Sequence, residues 1–236
     1  MVDANWISAP TSDGAMRLYL ARPRAPGPHP GVVVVQDLLG VDEHIREVTW
    51  RLARSGFVAA APALFHRSEV EELRYEDAQD SFELIRWLTD EQKLADLRSA
   101  ATLLERLPEV RRGAVGLVGF CFGGQVAHLA ATSLEEFRAA VCFSGLLTSA
   151  ENERSRTPLL FFFGERDPHV TPQRVRALEE TLTRLGRRHQ VVTYPRAGHR
   201  FMDETRHDLH DPEAAADAWL RTLAFLRQEL GASPST

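Results

Sequence analysis

Gly119-Phe120-Cys121-Phe122-Gly123-Gly124 follows directly on the apolar run Ala114-Val115-Gly116-Leu117-Val118. The run reads as a buried strand, and the small-residue stretch Phe122 to Ser133 reads as a helix. Between them lies a sharp turn with a thiol at its apex. The spacing is that of a nucleophile elbow, Gly-x-Ser-x-Gly, with cysteine in place of serine. Such a turn strains the backbone of its nucleophile, so the flanking residues must be small. The helix that starts at once aims its first N–H groups at the sulfur, which favours the thiolate.

Outward from the elbow, strands alternate with helices. Gly31 to Gln36 is a short, continuous β-branched run, as in a strand buried on both faces. Asp42 to Ser55 reads as a helix with Asp42 at its N-cap and Gly56 ending it. Phe57 to Ala63, Ala139 to Ser144, Leu159 to Phe163 and Gln190 to Tyr194 read as further strands. Met16 to Ala21 reads as a weak early strand. Glu69 to Trp87, Glu91 to Leu107, Thr171 to Leu185 and Glu213 to Leu230 read as helices, and 231–236 as a frayed tail. The pattern implies an α/β protein: a mostly parallel central sheet with helices on both faces. Such sheets carry their sites at the carboxyl ends of the strands. That rule singles out Asp37, Cys121, Asp167 and His199.

The bulk properties are those of an ordinary globular chain: 236 residues, 44% hydrophobic and 26% charged. No linker or repeat divides it, so one domain over 1–236 is expected. A net charge of -5 gives no reason to expect nucleic acid or an anionic membrane as partner. Arg184, Arg187 and Arg188 read as a solvated helix end. Two cysteines make no disulfide framework, and Cys142, between Val141 and Phe143, reads as an inert core residue. Met1 to Pro10 show no signal-peptide pattern and no run is long enough to span a membrane. The expected setting is cytoplasmic, with reduced thiols and a monomer or homodimer.

A thiol attacks as thiolate, so it needs a base beside it. His199, in Ala197-Gly198-His199-Arg200-Phe201 after the last strand, can take that proton and return it to a leaving group. Asp167, in Gly164-Glu165-Arg166-Asp167-Pro168, lies beyond the strand Leu159 to Phe163 and can fix the histidine tautomer. Glu165 and His169 are the rival acid and rival histidine. The backbone N–H of Phe122 is one oxyanion donor, and the N–H of Leu38, after the early strand, is the second. Phe65, Phe82, Phe122 and Phe201 are candidate pocket walls, with core packing as the alternative. His207, His210 and Asp211 have too loose a spacing for a metal site, and neither metal nor organic cofactor is expected.

With elbow, acid and histidine in this order, the chain resembles the dienelactone hydrolase family of α/β-hydrolases. The resemblance runs from about Pro30 to about Phe225. It rests on Val34-Val35-Gln36-Asp37, on Gly40-Val41-Asp42-Glu43-His44-Ile45-Arg46 and on Ala61-Pro62-Ala63-Leu64-Phe65. It continues in Gly116 to Gly124 and in Tyr194-Pro195-Arg196-Ala197-Gly198-His199-Arg200-Phe201. The resemblance implies a Cys121–Asp167–His199 triad that cleaves small lactones or esters through an acyl-thioester. It also implies a thiol-tuning carboxylate after Gln36, where the family has glutamate and this chain has the shorter Asp37. The family's carboxylate-binding arginine four residues after the histidine is replaced here by Asp203. An ungapped reading puts its second arginine and the tyrosine one turn later at Ala78 and Phe82, with Arg74, Tyr75 and Arg86 close by as alternatives. The chemistry is therefore expected to be retained and the substrate to differ, with Arg200 as a partial substitute. The rival functions are a non-catalytic binder of small ligands in the same cleft and a redox sensor built on Cys121.

Overall fold

Val32, Val33, Val34 and Val35 are all fully buried, yet they face opposite ways. Val33 and Val35 join one hydrophobic cluster, and Val32 and Val34 another. A strand alternates its side chains between two faces, so a continuous β-branched run demands cover on both. Each such side chain contributes roughly 1.5–3 kcal/mol when fully buried. The computed structural model describes residues 1–68, 70, 72–145 and 157–231.

The strands form one eight-stranded sheet. They are β1 (Val2–Thr11), β2 (Gly14–Pro23), β3 (His29–Val35), β4 (Val58–Pro62), β5 (Val110–Phe120), β6 (Ala140–Phe143), β7 (Leu159–Gly164) and β8 (His189–Tyr194). Their spatial order is β1-β2-β4-β3-β5-β6-β7-β8. β1 pairs antiparallel with β2, and β2 antiparallel with β4. From β4 across to β8 every pairing is parallel. The helices are α1 (Glu43–Arg54), α2 (Ser81–Trp87), α3 (Asp90–Arg106), α4 (Phe122–Ser133), α5 (Pro172–Arg184) and α6 (Pro212–Leu230). Leu97 and Leu104 of α3, Val126 of α4 and Leu182 of α5 cover one face. Ile45, Val48 and Leu52 of α1 and Ala218 and Leu226 of α6 cover the other. This is the mostly parallel sheet with helices on both faces read from the alternation of strands and helices, and the α/β-hydrolase architecture that the family resemblance implies. The strand order reverses beside β3, so the carboxyl ends of β3 and β5 open a crevice there.

Caps fix where the helices begin. Asp42 accepts from the Ile45 N–H at 3.0 Å, as its position predicted. Thr89 and Gln92 form a capping box at the start of α3. Gly231, at φ 67°, ends α6 in the left-handed region. The expected tail beyond it, 232–236, lies outside the described residues.

Two expectations are corrected. β1 was not anticipated, because most of its side chains are exposed and four polar residues interrupt any apolar run. The long helix expected from Glu69 to Trp87 is a 3-10 turn, Tyr75–Asp77, followed by the short α2. Glu69 itself lies outside the described residues. Tertiary backbone pairing wins over polar periodicity here: Leu73 N–H donates to Leu39 O at 2.8 Å, and Glu72 bridges to Gly40. Without a continuous apolar face, a helix over these residues gains too little from packing.

The elbow leaves no room for a Cβ at its flanking glycines. A Cβ on Gly119 would lie 2.1 Å from the Gly123 carbonyl oxygen, and one on Gly123 only 2.2 Å from that of Gln36. Both atoms are backbone and cannot swing aside. Gly119→Ala should therefore lower the unfolding free energy by at least about 2 kcal/mol, read as a reduced urea midpoint at unchanged slope.

Candidate active site

Cys121 occupies the turn between β5 and α4 with φ 53° and ψ -113°. A positive φ is costly for a residue with a Cβ, typically about 1–3 kcal/mol, so the surroundings must hold it. They do so through its peptide groups. Its N–H donates to Phe143 O at 2.8 Å, and its carbonyl accepts from Gly124 and Gln125 N–H at 3.0 and 3.2 Å. The thiol is partly exposed at the carboxyl edge of the sheet.

Two loops deliver the partners. His199 follows β8, and its Nε2 lies 2.9 Å from Cys121 Sγ. Its Nδ1 lies 2.6 Å from Asp167 Oδ2, in the loop after β7. Asp167 Oδ1 accepts from the His169 and Val170 N–H groups at 2.7 and 3.0 Å. Both carboxylate oxygens are thus bonded and the side chain is fully buried. Burial opposes charge on His199, but its bonds to Asp167 and Cys121 outweigh that and raise its pKa from 6.5 to about 10. Burial likewise opposes ionisation of Asp167, and the bond from His199 with the two backbone N–H groups holds it below the ordinary value. The rivals lie elsewhere. Glu165 is exposed and accepts from Thr193 Oγ1, while His169 is exposed with its ring edge-on to His199 at 5.0 Å.

Among the described residues, the N–H groups of Phe122 and Leu38 have no hydrogen-bond acceptor in the protein. Phe122 opens α4, where an N–H is left free by helix geometry. Leu38 sits in the tight turn after β3. There Asp37 Oδ1 accepts from Leu39 N–H at 2.7 Å, which fixes the turn from within.

Asp37 does not spend its second oxygen on the thiol: Oδ2 lies 2.5 Å from Arg200 Nη1. Arg200 is the hub of a buried ion cluster. Its Nε and Nη2 donate to Asp203 Oδ2 at 3.0 and 2.7 Å, and Nη2 lies 3.7 Å from Asp42 Oδ2. Burial and the nearby Asp37 charge push Asp42 up to about 7. Asp203 Oδ1 accepts from Thr205 N–H and Oγ1 and faces His44 Nδ1 at 3.7 Å. Burial depresses His44, so its imidazole is neutral at physiological pH. Asp37, His44, Phe120, Cys121, Phe143, His199, Arg200, Phe201, Met202 and Asp203 line a partly open cavity of about 20 Å³ beside the thiol, room for one water.

Phe201 and Arg200 therefore border the cavity, whereas Phe82 is 53% exposed on α2 and is not among its lining residues. Phe65 stacks on Phe122 and belongs to the core. Cys142 is fully buried, as its position between two apolar residues predicted. Sequence reasoning missed His44 and Ser144 as site residues. Ser144, at φ 51°, donates from Oγ to the His199 carbonyl at 3.0 Å and so braces the histidine loop. Its position directly after β6, at the same sheet edge as Cys121, was the available signal.

The raised His199 pKa links the site to stability. A folded value above the unfolded one adds stability that is complete below about 6.5 and lost as pH rises through about 10. Asp167→Asn should move the His199 midpoint, followed by NMR of the ring protons, down by at least about one pH unit.

The family model described as the dienelactone hydrolase family matches residues 16–230. "Putative carboxymethylenebutenolidase" of a Synechocystis species is 33% identical over 95% of this chain and 96% of its own length. "Probable 2-oxo-3-(5-oxofuran-2-ylidene)propanoate lactonase" of a Bradyrhizobium species is 30% identical over 96% of this chain and 94% of its own. The crystal structure of a "Putative Dienelactone Hydrolase" from Klebsiella pneumoniae superposes with a TM-score of 0.88 at 31% identity, covering 97% of this chain and 99% of that one. On sequence and on structure together, the chain belongs to the dienelactone hydrolase family.

Proposed function

We propose that this protein hydrolyses small carboxylic esters or lactones through an acyl-thioester on Cys121. The observation that carries the reading is the continuous hydrogen-bonded chain from Cys121 Sγ through His199 to Asp167. It is the arrangement a thiol needs to attack and a leaving group needs to depart. The names of the family relatives, a carboxymethylenebutenolidase and a lactonase, support cleavage of a lactone or ester bond as the reaction.

In the proposed reaction, Cys121 Sγ forms a bond to the carbonyl carbon, and the carbonyl electron pair moves to oxygen. The Phe122 and Leu38 N–H groups hold that oxyanion; one such donor is typically worth about 2.7–4 kcal/mol of barrier. The tetrahedral intermediate collapses, the C–O bond breaks, and His199 Nε2 gives its proton to the departing alkoxide. Water then adds to the thioester, with His199 taking its proton. The acid leaves and the thiolate–imidazolium pair is restored. Asp167 keeps Nδ1 protonated throughout and remains ionised. No metal or organic cofactor enters any step.

Asp37 serves the oxyanion rather than the sulfur in this account. Its bond to Leu39 N–H shapes the turn that presents Leu38, and Arg200 anchors its other oxygen. It is a positioning residue in this reading.

With p-nitrophenyl acetate as substrate, Cys121→Ala should remove turnover above background. His199→Ala should lower kcat/KM by about 10²–10⁴. Asp37→Ala should lower kcat more than it raises KM, and Asp37→Asn, which keeps an acceptor for Leu39, should recover part of the loss. A retained rate in Cys121→Ala would favour a non-catalytic binder whose esterase signal is incidental.

A further inference from the structure

The cluster that shares a cavity with the thiol carries an uncompensated negative charge. Asp37, Asp42 and Asp203 face one guanidinium, Arg200. Asp167, on the far side of His199, is paired with that imidazolium and adds nothing to the excess. The remaining imidazole of the cluster, His44, is neutral through burial. Even with Asp42 protonated, the Arg200 group keeps an excess of about one negative charge.

The charge of Arg200 is matched by its aspartates, although one of its nitrogens keeps an unused proton. Nε and Nη2 grip Asp203, while Nη1 forms an ion pair with Asp37 Oδ2 at 2.5 Å without making a hydrogen bond, and the side chain is only 9% exposed. Two further cations are engaged as well, Arg46 on α1 and Arg206 between β8 and α6. Arg46 donates to Glu72 and to the Val41 carbonyl. Arg206 binds Asp208 with two nitrogens and covers the Tyr75 ring at 3.5 Å. A carboxylate entering beside the scissile carbonyl would meet buried like charge at low dielectric, where repulsion is strong and poorly screened.

We propose that the site takes uncharged esters or lactones and discriminates against substrates that carry a carboxylate near the scissile carbonyl. This rests on the hydrolase reading above and narrows its substrate class. The apposed charges act as a repulsive filter, a common source of specificity.

The test compares two esters with one leaving group and one acyl chain: mono-p-nitrophenyl glutarate, ionised near neutral pH, and its neutral methyl ester. The wild-type kcat/KM for the neutral ester should exceed that for the anion by at least about tenfold. Asp203→Asn removes one buried charge and should shift the ratio toward the anion several-fold. Taking the ratio within each enzyme cancels any loss of folded protein. Equal rates, or preference for the anion, would overturn the proposal and show that an incoming carboxylate takes Arg200 from its aspartates. An unchanged ratio in Asp203→Asn would overturn it as well. Failure to turn over either ester, with no dependence on Cys121, would instead bring down the hydrolase reading and this inference with it.

Discussion

The close approach of α4 to the ends of β3 and β5 is the constraint on which the site depends. It requires glycine at 119 and 123, since a Cβ at either place would run into backbone carbonyl groups. That approach forces Cys121 into its positive-φ conformation and lifts the thiol out of the sheet edge. It also brings the first N–H of α4 beside the turn at Leu38. The strain is local and small against the burial around it: β3, β5 and β6 are clothed on both faces by apolar side chains. The rigid sheet holds a conformation that a free peptide would abandon.

Around that fixed point the electrostatics divide into two groups. One is the line from sulfur through His199 to Asp167, in which each proton position is set by a neighbour. Burial pulls the His199 pKa down, and the two bonds pull it up further. The other is the ring of carboxylates on Arg200, which braces the turn after β3 and the loop after β8 against each other. A buried ion cluster of this kind is a poor source of net stability, because desolvation offsets most of the attraction. Its value lies in holding two functional loops in register and in setting the charge that a substrate meets.

Much of this was legible in the chain. The elbow, the β-branched run of β3 and the cap at Asp42 each follow from short-range rules, and the structure contains all three. So does the order of Cys121, Asp167 and His199 at successive strand ends. What escaped depends on long-range pairing. β1 has few buried side chains and exists through its ladder with β2. The segment from Leu73 is extended by its bond to Leu39, against its own polar periodicity. Arg200 looked free to meet a substrate, because nothing local shows that Asp37, Asp42 and Asp203 converge on it. The bond from Ser144 to the His199 carbonyl spans 55 residues, and only the place of Ser144 directly after β6 pointed to it.

The central claim is covalent: the acyl group passes through Cys121. Rapid acid quenching of the enzyme during turnover of an activated ester, followed by intact mass and peptide mapping, tests it most directly. The account predicts one acyl group per chain, carried by the peptide that contains Cys121, forming and decaying fast enough to lie on the reaction path. Continued turnover with Cys121 never acylated, or acylation of another residue at the rate of turnover, would contradict it.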